Sequence, residues 1–116
     1  MEGLTIDAAE ELAERCLDAC NLAVRDGDAS GLTELLTADA VIEVAELRTE
    51  WLHGPEELGE RLAELSDHGG MVLLDVRAIG PDVVAGVAWD DDPTVRTAEV
   101  RLVPDGDRIS RLEWVR

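Results

Sequence analysis

From Met71 to Val115 the chain is a succession of β-branched or alternating runs cut by turn signals. The runs are Met71 to Ile79, Val83 to Trp89, Val95 to Val103 and Arg108 to Val115. Between them stand Gly80-Pro81-Asp82, Asp90-Asp91-Asp92-Pro93 and Pro104-Asp105-Gly106-Asp107. Each breaker acts by a known route: Gly supplies positive φ, Asp bonds the turn backbone, and Pro cannot donate to a ladder. The last two breakers read as hairpin turns, so the final three runs are expected to pair antiparallel. Any helix must come from the other half.

The first half has that periodicity. Asp7 with Glu10 reads as a capping box. Leu12, Cys16, Ala19, Cys20 and Ala23 then recur at helical spacing, with Glu10, Glu11, Glu14, Arg15 and Asp18 on much of the other face. Asp26-Gly27 stops this helix, and Asp28 caps a short second one carrying Leu32, Leu35 and Leu36. Val41 to Val44 reads as a strand, and Arg48 to Leu52 as a second. Gly54-Pro55-Glu56-Glu57-Leu58 opens a third helix with Pro at its first position and two acids at the positive end of its dipole. Its stripe is Leu58, Leu62 and Leu65, and His68-Gly69-Gly70 ends it. The expected order is α-α-β-β-α-β-β-β-β, one α+β domain over residues 1–116.

Charge narrows the partners. There are 27 acidic and 10 basic residues, a formal charge of -17, and every basic residue is Arg. Such a surface repels phosphate backbones and anionic lipid, so neither nucleic acid nor membrane is expected as a partner. No apolar run approaches the roughly 20 residues that span a bilayer. Met1 to Leu4 lacks the start of a secretory signal, so a cytoplasmic location is expected. Cys16 and Cys20, four apart on a helix, read as small core residues rather than a redox or metal pair. His53 and His68 read as surface or capping residues, and Asp90 to Asp92 as a solvated turn rather than a cation site. No phosphate-binding glycine motif, metal-ligand pattern or nucleophile triad is present, and no cofactor or metal is expected.

Four local marks occur together: Arg25-Asp26-Gly27-Asp28, Leu35-Leu36-Thr37-Ala38-Asp39-Ala40-Val41, Gly54-Pro55-Glu56-Glu57-Leu58 and Asp105-Gly106-Asp107-Arg108-Ile109. Their order resembles the SnoaL-like and ketosteroid-isomerase branch of the nuclear transport factor 2-like superfamily over nearly the whole chain. The resemblance implies a cystatin-like α+β barrel, in which a cone-shaped curved antiparallel sheet wraps helix one and leaves an apolar pocket. Isomerases, polyketide cyclases, epoxide hydrolases and non-catalytic modules share that fold, so it implies a pocket and not a reaction. Carried over by position, the isomerase's helix-one Tyr falls at Cys20, its general base at Val44 and its second acid at Glu99. Only Glu99 keeps suitable chemistry, which argues against ketosteroid-type isomerisation.

Two registers for the last hairpin remain open. If Val103 pairs with Arg108, then Thr97, Glu99 and Arg101 share a face with Leu112 and Trp114. By the family analogy that face lines the pocket. Glu99 and Arg101 are then the expected catalytic pair, a carboxylate held ionised by a guanidinium. Trp114, Leu112, Thr97, Cys20, Val44, Trp51 and Trp89 are the expected substrate walls. In this register Ala98, Val100 and Leu102 form an apolar outer face, which a homodimer would cover. A slip of one residue reverses everything. Ala98, Val100, Leu102, Leu112 and Trp114 then share the core, and Glu99, Arg101, Arg111 and Glu113 become a solvated ion-pair cluster. The expected function is a pocket for a small apolar organic molecule, used by a cofactor-independent acid-base enzyme (cyclase, isomerase or epoxide hydrolase) or by a non-catalytic dimeric binding module.

Overall fold

The computed structural model describes residues 5–45, 48–64 and 69–115. In chain order the elements are α1 (Ile6–Asp26), α2 (Ser30–Leu35), β1 (Leu36–Ala45), β2 (Thr49–His53), α3 (Gly54–Ala63), β3 (Met71–Ile79), β4 (Asp82–Trp89), β5 (Ala98–Asp105) and β6 (Arg108–Val115). This is the expected α+β order. Leu65 and His68 lie outside the described residues.

Each helix boundary has a local cause. Thr5, not Asp7, caps α1: its Oγ1 accepts the Ala8 N–H at 3.1 Å. At the other end Gly27 takes φ 68°, and its N–H bonds back to the Ala23 carbonyl at 3.0 Å. Leu12, Cys16, Ala19, Cys20 and Ala23 are all buried, as their spacing requires. Before α2, Asp28 Oδ1 accepts the Ser30 N–H at 2.9 Å. That backbone bond holds the Asp28 carboxyl below the usual carboxylate range. In α3, Pro55 occupies the first turn and Glu57 Oε1 accepts the His53 N–H at 3.2 Å, closing the entry.

The six strands form one curved, unclosed sheet in the order β2-β1-β6-β5-β4-β3. All neighbours are antiparallel except β1 and β6, which run parallel and make the sheet mixed. The consecutive strands β3 to β6 pair antiparallel with their neighbours, through the two hairpin turns the sequence marked and through a third at Gly80-Pro81. Only the link between the two halves of the chain requires a parallel neighbour.

Two strands differ in extent from the sequence reading. β1 begins at Leu36, not Val41, and its register on β6 shifts between Leu36 and Val41. β5 begins at Ala98, not Val95. Thr97 precedes it and donates its N–H to the Val87 carbonyl at 2.8 Å. β5 also continues through Pro104 to Asp105, because a register shift between Val103 and Pro104 accommodates a residue without an N–H. Helices α1 and α3 cover the concave face, and the core lies between them and the sheet.

Candidate functional site

The site follows from the strand alternation that the sheet imposes. One cross-strand row reads Ile42, Leu112, Leu102 and Val83 on β1, β6, β5 and β4, and all four are buried. The adjacent row reads Trp51, Glu43, Glu113, Arg101, Val84 and Arg77 across all six strands. The first row faces the helices and the second faces away.

On the inner face lies a cavity of about 50 Å³. That is several times the space of about 10–15 Å³ that one water needs, and well below the roughly 300 Å³ of a pocket for a drug-sized ligand. Ala13, Cys16, Leu17 and Cys20 reach it from α1, and Leu58, Arg61 and Leu62 from α3. The sheet supplies Val44, Met71, Leu73, Val100, Leu112 and Trp114, among others. Of the described residues lining it, Arg61 is the only charged one. Its guanidinium is compensated, with Nε 3.4 Å from Glu50 and Nη1 3.2 Å from Glu64. The Cys20 thiol is pushed well up by its hydrogen bond with Cys16 and then by burial, so it stays neutral. The indole of Trp114 lies 6.5 Å from that of Trp89, tilted by 43°. The Trp114 Nε1–H is buried and has no acceptor among the described residues.

Of the residues named from the sequence, Cys20, Val44, Leu112 and Trp114 line the cavity, and Thr97, Trp51, Trp89, Glu99 and Arg101 do not. Trp89 packs against the core beside Trp114. Trp51 is half exposed on β2, with the Arg111 guanidinium 5.6 Å from its ring centre. Glu99 is on the outer face, its side chain 44% exposed, 2.8 Å from Arg77 and 3.3 Å from Arg96. Arg96 also pairs with Asp75 and lies over Gly86, where a Cβ would come within 2.7 Å of its Cζ. Arg101 pairs with Asp82 at 2.7 Å and Arg111 with Glu113 at 2.7 Å.

The expectation that Glu99 and Arg101 form a pocket wall is thus corrected: Ala98, Val100, Leu102, Leu112 and Trp114 share the inner face, as in the alternative register, with Val103 opposite Arg111, three residues beyond Arg108. Asp105 pairs with Arg108 and Pro104 with Ile109, yet Val103 pairs with Arg111. Ser110 is the extra residue on β6, and its Oγ donates to the Val103 carbonyl at 3.3 Å. Without that bulge Glu99 would stand opposite Trp114; with it, Val100 does. Ala98, Val100 and Leu102 accordingly point inward and are buried, so no apolar outer face is left on β5. Arg61, Met71 and Leu73 were not singled out by sequence. Arg61 is three residues after Leu58 in α3, a spacing that could have placed both on one helix face.

No family sequence model and no curated protein matches the chain. Solved structures do. A SnoaL-like protein of unknown function from Burkholderia thailandensis aligns over 97% of this chain and 97% of its own, with TM-score 0.73 and 16% identity. A cystatin-fold protein from Novosphingobium aromaticivorans covers 93% and 97%, with TM-score 0.65 and 19% identity. A candidate polyketide cyclase from Sinorhizobium meliloti covers 90% and 93%, with TM-score 0.64 and 20% identity. At these identities the likeness is one of fold. The chain has the cystatin-like α+β fold of the SnoaL-like, nuclear transport factor 2-like proteins.

Proposed function

We propose that this protein is a binding module for a small, largely apolar organic molecule held in the cavity between α1, α3 and the sheet. The observation that carries this reading is the lining. Apolar side chains dominate it, the Cys20 thiol is neutral, and Arg61 is already paired with two acids. An acid-base reaction needs a proton acceptor beside the substrate, and Val44 and Cys20 supply none. An enzymatic role for Glu99 and Arg101 would have to operate on the outer face, where both are ion-paired in partial contact with solvent.

The test is a thermal-shift series with single-ring apolar compounds against Ala13→Leu. Ligand binding to the folded state raises the melting temperature. Ala13 lines the cavity, so the added isobutyl group fills it. The wild type gains several degrees, and the variant keeps its own melting temperature but loses the gain. Absence of any shift in the wild type defeats the reading.

The outer sheet face supports a second element, pairing with another copy of this chain. Four of the 10 Arg (Arg77, Arg96, Arg101 and Arg111) lie there with five of the 27 acids (Glu43, Asp75, Asp82, Glu99 and Glu113). The remainder of the chain carries six basic residues against 22 acidic ones. Two copies repel least where their charges balance. Sedimentation equilibrium at 0.15 M salt is expected to give a dimer, and a monomer at high concentration defeats this element.

A further inference from the structure

We propose that the inner cavity is also a site for a soft monovalent metal ion, Cu(I), chelated by the sulfurs of Cys16, Cys20 and Met71. All three residues line the same space. Cys16 and Cys20 stand four apart on α1, a spacing that puts Cβ atoms on one helix face about 5–6 Å from each other. Their thiols bond each other, so the two sulfurs are already side by side. Met71 opens β3 against the same stretch of helix. Asn21, the residue after Cys20, takes both backbone groups of Met71. Its Nδ2 donates to the Met71 carbonyl at 2.9 Å, and its Oδ1 accepts the Met71 N–H at 2.7 Å. That double bond to the backbone fixes the root of the third sulfur beside the Cys20 turn. The sequence spacing of the two thiols reads as core packing; their sharing a cavity with a thioether is what the fold adds.

The donor set decides which ion. Thiolate and thioether sulfurs select soft metals. Zn(II) takes four donors in a tetrahedron, and among the described residues no His, Asp or Glu joins the thiols to complete one. Cu(I) is satisfied by two or three sulfurs. A space of about 50 Å³ exceeds what one water needs and therefore admits one ion. Binding replaces protons: each S–H bond that breaks gives a Cu–S bond, the proton leaves to solvent, and copper stays Cu(I). Without the ion the pair is neutral, because the hydrogen bond from Cys16 and then burial hold the Cys20 thiol up. With both protons replaced the complex carries one negative charge. Arg61, though shared with Glu50 and Glu64, is the charged residue of opposite sign on that lining.

The experiment titrates the reduced protein with Cu(I) under nitrogen, in competition with a chromogenic Cu(I) chelator. The wild type is expected to withdraw one ion per chain and to show thiolate-to-copper charge-transfer absorption in the ultraviolet. Its melting temperature is expected to rise by several degrees, because only the folded chain holds the three sulfurs together. Cys20→Ala is expected to weaken binding by about a hundredfold or more, and Met71→Leu, which conserves volume, by about tenfold. Zn(II) is expected to leave the melt unmoved. A wild type that takes no Cu(I) from the chelator overturns the proposal. So does a melting temperature lowered by Cu(I), which would mean that the thiols bind it only in the unfolded chain. Full affinity in Cys20→Ala also overturns it. If that variant misfolds, the wild-type competition and melt decide alone. Each of these failures leaves the apolar-ligand reading standing, since that reading is tested with organic compounds and no metal.

Discussion

The two faces of one sheet hold their side chains by different physics. On the concave face Ile42, Leu102 and Leu112 are buried against helices, and their contribution scales with apolar area removed from water. On the convex face, Arg77, Arg96, Arg101 and Arg111 are laced to carboxylates at the protein surface. There each pair gives up hydration nearly equal to what it gains. Strands β5 and β6 carry both characters on alternate residues, so a residue's importance depends on parity, not on which strand it occupies. The lesson for function is that Glu99 and Arg101, the side chains most suggestive of chemistry, are on the face of the sheet turned away from its cavity.

The contrast can be broken from the inside. Leu102→Ala is expected to lose about 2–5 kcal/mol in denaturant unfolding, since Leu102 is 1% exposed. A loss under 1 kcal/mol would mean that the inner row is not a packed core. The neighbouring change on the other face, Glu99→Gln, is expected to cost no more than about 1 kcal/mol. It is also expected to leave ligand-induced thermal shifts unchanged. A variant that folds normally but no longer binds would put Glu99 back at the site. The smallest expected effect lies outside the sheet, at Asp28. Its folded-state carboxyl titrates below its unfolded value because of the Ser30 N–H. The unfolded state therefore binds more protons in the acid range. The stabilisation is full above the unfolded value and fades as pH falls through the lower folded one. Asp28→Asn is expected to flatten that part of the stability profile, read by thermal melts between pH 2 and about pH 5. An unchanged slope would show that the Ser30 bond does not persist in solution.

Much of this architecture is legible in the sequence because periodicity and punctuation are local signals. Gly27, Pro55 and Gly106 each end or begin an element where their backbone chemistry requires it. The stripe from Leu12 to Ala23 needs only helical spacing to be found. The candidate site was less legible, because it depends on one residue of register. Nothing local about Ser110 announces a bulge; the hint is Pro104, opposite Ile109, which cannot donate to the ladder. The thiols and valines of the cavity carry no motif, and their gathering around one space is a property of curvature rather than of composition. The Thr5 cap was missed because Asp7 and Glu10 offered an equally good box two residues on.

The sheet of this protein ends at two separate strands, β2 and β3, instead of joining them. A closed barrel fixes its bore through strand number and stagger. An open one can bend further or relax without parting any pair of neighbouring strands. Strand count and stagger therefore do not fix the bore here, and α1 and α3 rest on the concave side of the unclosed sheet. On the binding function proposed above, guests somewhat wider than the resting space are expected to enter by flattening the sheet, at a rising elastic cost. For that function, selectivity by size is then expected to be graded rather than sharp.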